Sequence, residues 1–491
     1  MNAAQPTMEA LDVFDMLFSP RWITRWQQQQ RPPEPPPPSG PGPRRRRRKK
    51  PPAPPKPRGF YERIFSLRVT LWYLIFQRLN FDGTLAAVIA NLRLGKADRL
   101  GRRGVKLSSR IRSTKTGAYN LARQRLPLPL LQAALAELAA KVARMVGYDP
   151  APTRAPAPDQ RSRQLLDGST LEMLTTAALA AAFPPARNQH GTSDWCVMRI
   201  LVGFCAKSGA VLSACCGPVQ QSEQAMAWGL MACGAKFTVW IGDRNFGVWS
   251  VVAQAKHCHQ DVLVRLTRAR ARRLCGGQPL SSGEDRRIDW MPTRQDKSPP
   301  GLERKAVSGR LIYVRLNKAG RYIDLWLFTT LPTGDYPVEL LVQWYGQRWQ
   351  AELHFRSIKT QLKMTELDVC SPQMARKEFY AGLLAYSLVR SVMWAAGERL
   401  EQKIQKLSFN DARRVVLSRL AEWGSRHCSG AGTAERWGRL LVAEVTRHTL
   451  PKRRKERPTE VRRKRHRRQD FPPLKGCRAA ARARDLLTKS M

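Results

Sequence analysis

The chain has 491 residues, which at about 150 residues per domain corresponds to roughly three domains. Lys and Arg number 85 against 38 Asp and Glu, a formal net charge of +47. That excludes an ordinary metabolic enzyme as the default reading and an acidic disordered protein altogether. So large a charge attracts a polyanion, with nucleic acid the first candidate and an anionic membrane surface the second. The hydrophobic share of 43% still supplies a sizeable core.

The opening MNAAQPTMEALDVF lacks the basic start of a secretory signal. Residues 31–58 are proline-rich and carry the basic run Arg44 to Lys50. They cannot build a core, so 1–58 is expected to be a disordered Pro/Arg-rich arm. Residues 59–150 are expected to form a helical region. Val69 to Phe76 is apolar but too short to cross a bilayer. Within the region, helices over Gly117 to Arg125 and Leu130 to Met145 flank Pro127. Two readings of that pair are open: a helix-turn-helix that reads DNA, or a plain hairpin with a solvated basic face.

After the linker DPAPTRAPAP at 149–158 the chain alternates strand and helix patterns, which points to an α/β core. Its first part is expected over 160–266. Trp195 to Phe204 and Ala210 to Cys216 form a strand pair around a Lys-Ser-Gly turn. A helix over Gln220 to Gly234, a strand over Phe237 to Gly242, a helix over Val248 to Lys256 and a strand over Val262 to Leu266 come next. Residues 267–335 read as irregular over Arg268 to Leu302, then as strands over 311–316 and 322–331. A long amphipathic helix is expected over Val338 to Met364 within 336–400, with another helix over Phe379 to Leu400. A helical region (401–450) and a basic tail (451–491) close the chain. The ten cysteines lack framework spacing, which suits a reducing cytoplasm with free thiols. The dense soft-ligand cluster His257-Cys258-His259 lacks a nearby CxxC or HxxxH partner for zinc.

In so basic a chain the informative residues are acids in apolar context. Asp167 follows Leu165-Leu166 and Asp243 follows Val239-Trp240-Ile241-Gly242. Both are expected where a strand ends, the position at which open α/β sheets place ligands. Arg244 follows Asp243 directly. Further on, Tyr345, Arg348, Glu352 and Lys359 fall within an arc of about 60° on a continuous helix. Three carboxylates can hold two Mg²⁺ ions for phosphoryl transfer, with basic residues holding the phosphates. Trp240, Trp249, Trp344 and Trp349 are open to either core packing or base stacking, and Trp326 is the better candidate for base contact.

The spacing Tyr345-x2-Arg348-x3-Glu352-x6-Lys359 resembles the Y-R-E-K signature of the insertion-sequence-4 family of bacterial DDE transposases. Asp167 in LLDGSTL and Asp243 in IGDRNFG resemble the family's first two acids, and TGAYNLARQRLPLPLLQAAL resembles its N-terminal DNA-binding region. The resemblance covers about residues 100–400. It implies an RNase H-like catalytic core with a β-rich insertion, flanked by helical regions. It implies Asp167, Asp243 and Glu352 as the catalytic, metal-binding triad for two Mg²⁺ ions, with Mn²⁺ as a substitute. It implies that Tyr345, Arg348 and Lys359 contact DNA, and Arg244 and Trp326 are added as DNA-binding candidates. The expected activity is cut-and-paste transposition on double-stranded DNA, transposon ends and target alike, by a homodimer in the bacterial cytoplasm without a membrane partner. The alternatives are an RNase H-like nuclease without strand transfer and a non-catalytic DNA-binding descendant of a transposase.

Overall fold

The computed structural model describes residues 19–30, 64–101, 105–188, 191–318, 321–401, 403–425 and 431–450. The basic run Arg44 to Lys50 and the tail 451–491 lie outside them. The arm expected to lack structure over 1–58 contains helix α1 (Pro20–Gln29). Proline near the first helical position pre-sets the backbone. Ile23 is buried, and Trp22 and Trp26 pack on the main core, so apolar anchoring overrides the surrounding composition.

Helices α2 (Leu67–Leu79), α3 (Leu85–Arg93), α4 (Gly117–Arg125) and α5 (Leu128–Met145) come next. Ser66 caps α2 by accepting from the Val69 N–H. Nearly every residue of α2 is buried, as expected of a helix apolar on all sides. The axes of α4 and α5 differ by 72°. Tyr119 on α4 is buried and donates to the Gln77 side chain at 2.6 Å.

A ten-stranded mixed sheet carries the rest. Its strands are β1 (Arg163–Met173), β2 (Pro185–Asn188), β3 (Gly191–Cys205), β4 (Val211–Pro218), β5 (Val239–Gly242) and β6 (Asp261–Arg265). They continue with β7 (Asp285–Trp290), β8 (Val307–Lys318), β9 (Arg321–Thr329) and β10 (Glu366–Leu367). The order is β2-β3-β1-β5-β6-β9-β8-β7, with β4 on β3 and β10 on β1. β1, β5 and β6 are mutually parallel, and β3 is antiparallel to β1. Side chains alternate between faces. Leu165, Ile241 and Leu263 enter the larger core, whereas Leu166, Trp240, Val262 and Val264 enter a second core on the opposite face. Burial on both faces explains why these strands read as continuous apolar runs.

Helices cover both faces: α6 (Ala177–Ala182), α7 (Glu223–Ala232), α8 (Trp249–His257), α9 (Arg268–Leu274), α10 (Val338–Gly346), α11 (Trp349–Arg356), α12 (Pro372–Arg399), α13 (Phe409–Gly424) and α14 (Ala431–Thr446). The largely apolar α12 is long enough to cross a membrane, but 94% of its apolar stretch is buried inside the protein. On it, Glu378 accepts from Arg78 Nε of α2 at 2.7 Å and pairs with Arg123 of α4. This ion triad ties the N-terminal helices to the central helix.

Two expectations need correction. Residues 268–302 hold α9 and β7 rather than irregular chain alone. The strands of 267–335, expected as a β-rich insertion, extend the central sheet, since β9 pairs with β6 through Leu263–Thr329, Val264–Phe328 and Arg265–Leu327. The single helix expected over 338–364 is broken after Gly346 and ends in a π-type turn, Ser357–Gln361. Glycine disfavours helix continuation, although Gln347 and Arg348 keep α-helical dihedrals across the break.

Candidate active site

Asp167 lies in the middle of β1, not at a strand end. The strand that ends is its parallel neighbour β5, whose last residue Gly242 pairs with Leu166. Asp167 and Asp243 each come directly after that pair, so they stand side by side at about the 4.8 Å strand spacing. Asp243 Oδ1 accepts from the Asn245 N–H at 2.8 Å, an Asx turn that fixes the carboxylate beyond the strand. Asp167 Oδ1 accepts from the Gly168 N–H at 3.0 Å. Burial pushes the Asp167 carboxyl up to about 6; the Gly168 N–H opposes this, Asp243 adds to it and Arg348 opposes it.

The segment after β9 delivers the second half of the site. Tyr345, at the end of α10, is buried, and burial pushes its phenol up to about 12 against the pull of Arg348. Arg348 sits in the break between α10 and α11 and donates from Nη2 to Glu352 Oε1 at 3.2 Å. Burial would lower its guanidinium, but Tyr345, Glu352 and Asp167 together hold it above its ordinary value. Arg348 thus links the acid pair on the sheet to Glu352 on α11. The Glu352 side chain is 45% exposed, which leaves it free to turn.

Lys359 is not brought to the acid pair. The π-type turn places it near Glu172, and burial lowers its ammonium while Glu172 opposes this. Glu172 is five residues past Asp167 on β1, about 16 Å along the strand. Arg244 is exposed beside Asp243. Trp326 on β9 is half-buried and stacks on Tyr313 with ring centroids 5.4 Å apart. Trp240, Trp249 and Trp344 are buried in the cores, whereas Trp349 is 61% exposed on α11.

Sequence reasoning missed Glu223 and Asn245. Glu223 opens α7, and its Oε2 accepts from Asn245 Nδ2 at 2.7 Å. A Cβ at Gly168 would collide with the Glu223 carboxylate. In sequence Glu223 looks like an ordinary acid in a first helical turn; NFG after Asp243 gives no more than a turn signal.

Among the described residues no three His, Cys, Asp or Glu side chains converge as a ready-made metal group. The Asp167–Asp243 pair nevertheless fits a divalent cation. It offers hard oxygen donors on adjacent strands. The eight described cysteines are free, and His257-Cys258-His259 adds no metal group.

A mixed sheet here sets two aspartates side by side in a strongly basic chain. Residues 158–388 match the transposase DDE domain family. The transposase InsG of insertion sequence element IS4, from Escherichia coli strain K12, is 24% identical over 264 residues, 52% of this chain and 58% of that protein. The transposase of insertion sequence element IS421, from Escherichia coli, is 31% identical over 85 residues, 17% of this chain and 22% of that protein. The chain thus matches less than two thirds of the length of either relative. Residues 158–388 therefore resemble a transposase DDE domain, and the chain is similar over about half its length to an insertion-sequence transposase.

Proposed function

We propose that this chain is a cut-and-paste DNA transposase, in which Asp167, Asp243 and Glu352 are the catalytic acids. The observation that carries this reading is the placement of Asp167 and Asp243 side by side past the Leu166–Gly242 pair, inside the matched domain. The strand order β4-β3-β1-β5-β6, with only β3 antiparallel among β3, β1, β5 and β6, supports an RNase H-like core.

Asp167 and Asp243 would hold divalent cations, Mg²⁺ or Mn²⁺, with Glu352 joining once its carboxylate leaves Arg348. When bound, such cations supply charge stabilisation and a more acidic water or 3′-hydroxyl. The protein's own groups do the rest. Arg348, released from Glu352, offers a planar fork to a backbone phosphate. Tyr345 keeps its proton at neutral pH and donates a hydrogen bond. Arg244 and the more distant Lys359 hold phosphates further along the strand, and Trp326 presents a ring to an unpaired base. Residues 59–150 bind the terminal repeats, a homodimer pairs the two ends, and the protein works in the cytoplasm.

The test is an assay of the full chain with linear DNA bearing the element's terminal repeats. Joined product containing the 3′ ends is expected; cleavage without joining would support a nuclease instead. Asp243→Asn is expected to abolish metal-dependent cleavage while DNA affinity stays unchanged. Persisting cleavage would remove Asp243 from the site.

A further inference from the structure

We propose that Glu223 is a fourth acid of this site, a divalent-cation ligand that reaches Asp167 and Asp243 from the sheet face opposite Glu352. The proposal rests on the transposase reading above. The two glutamates arrive on helices from different layers. α7 packs into the second core through Met226, Ala227 and Leu230, whereas α11 packs into the larger core through Ala351 and Phe355. They straddle β1 where β5 has ended and no longer fills the sheet.

Two features show that the Glu223 carboxylate is aimed at this gap. Gly168, the neighbour of Asp167, lacks the side chain that would stand in its path, so the carboxylate lies against bare strand backbone. Asn245 then holds both acids at once: its N–H binds Asp243 at 2.8 Å and its Nδ2 binds Glu223 at 2.7 Å. Capping does not explain the placement. Ser222 already caps α7 by accepting from the Ala225 N–H, and an acid serving the helix dipole needs no contact with a neighbouring strand. Arg199 lends positive charge but forms no ion pair with Glu223 among the described residues. The three carboxylates stand near one another without yet converging; like charges repel, and a hard divalent cation with oxygen ligands is the partner that would draw them in.

The experiment is Mn²⁺ titration of the full chain without DNA, monitored by calorimetry and the Mn²⁺ electron-spin signal. It is run on wild type, Glu223→Gln, Gly168→Ala and Asp243→Asn. Glu223→Gln is expected to weaken Mn²⁺ binding by about tenfold or more, and to raise the Mg²⁺ needed for half-maximal cleavage in proportion. DNA affinity stays at the wild-type value. Gly168→Ala is expected to do the same by displacing the carboxylate, which keeps the test open if Glu223→Gln does not fold. Mn²⁺ binding within about twofold of wild type in either folded variant would overturn the proposal. If Asp243→Asn loses metal binding while Glu223→Gln keeps it, only the role of Glu223 fails. If Asp243→Asn also binds and cleaves normally, the reading of the whole site fails.

Discussion

Asp167, a candidate site residue, sits where its charge costs the fold stability. Its carboxyl ordinarily titrates near 3.8 and is pushed up to about 6 in the folded protein, first by burial. A raised carboxyl favours the protonated fold, so the folded state is penalised progressively as pH rises from 3.8 to about 6 and by a constant amount above that. The penalty is on the order of 2–3 kcal/mol at neutral pH. In metal-free protein, Asp167→Asn should therefore raise the urea midpoint near neutral pH, and the gain should vanish near the ordinary carboxylate range. Thermal or urea melts across pH measure it, and an unchanged midpoint at neutral pH would contradict it. Asp243 was legible because an apolar strand delivers it directly, and Asp167 because Leu-Leu-Asp-Gly stands out in a basic chain. Glu223 was not, since nothing local separates an acid that opens a helix from one that faces a cation. Its proposed role depends on Gly168, 55 residues earlier, whose missing side chain makes room for it.

Among the elements, α12 organises the N-terminal half through the triad of Arg78, Glu378 and Arg123. Burial would raise the Glu378 carboxyl, but the two arginines outweigh it and hold it below its ordinary 4.5. A depressed carboxyl adds stability above its unfolded value and loses it as pH falls through the folded one. Glu378→Gln should cost about 3 kcal/mol at neutral pH, because two half-buried guanidinium groups lose their counter-charge. The difference from wild type should shrink below the ordinary carboxylate range, as equilibrium urea melts would show. Most elements were legible from periodicity, including α4, α5, β5, β6 and the β8–β9 pair. The helix break was not: Gly346-Gln347-Arg348 carries no proline, and the period continues across it. Nor was the π-type turn that follows α11, and Lys359, expected on the face of Glu352, is found near Glu172. α9 was missed because RARARRL has almost no apolar face to betray a helix.

For the whole molecule, the charge of +47 divides between the folded body and its flanks. Residues 451–491 alone carry 16 Lys and Arg against 4 Asp and Glu, a net of +12. Contacts from such a segment release counterions without reading sequence, at about 0.9 per neutralised phosphate. A chain truncated after residue 450 should therefore show a salt dependence of DNA binding shallower by several units, with its preference for terminal-repeat DNA retained. Titrations over a range of salt concentrations measure both, and an unchanged slope would show that the tail does not touch DNA.

The pairing of β9 with β6 bears on solubility as well as architecture. Without the segment 267–335, β6 would be an open edge with a row of unpaired amides and carbonyls, flanked by Val262, Leu263 and Val264, a template for a strand from another chain. The inserted strands cover that row and move the border out to β7, which is six residues long and bears Asp285, Arg286, Arg287 and Asp289. A short, charged border resists strand addition. Excising the insertion should therefore yield a protein that self-associates through its sheet, and a disruption there would register as insolubility before it registered as lost catalysis.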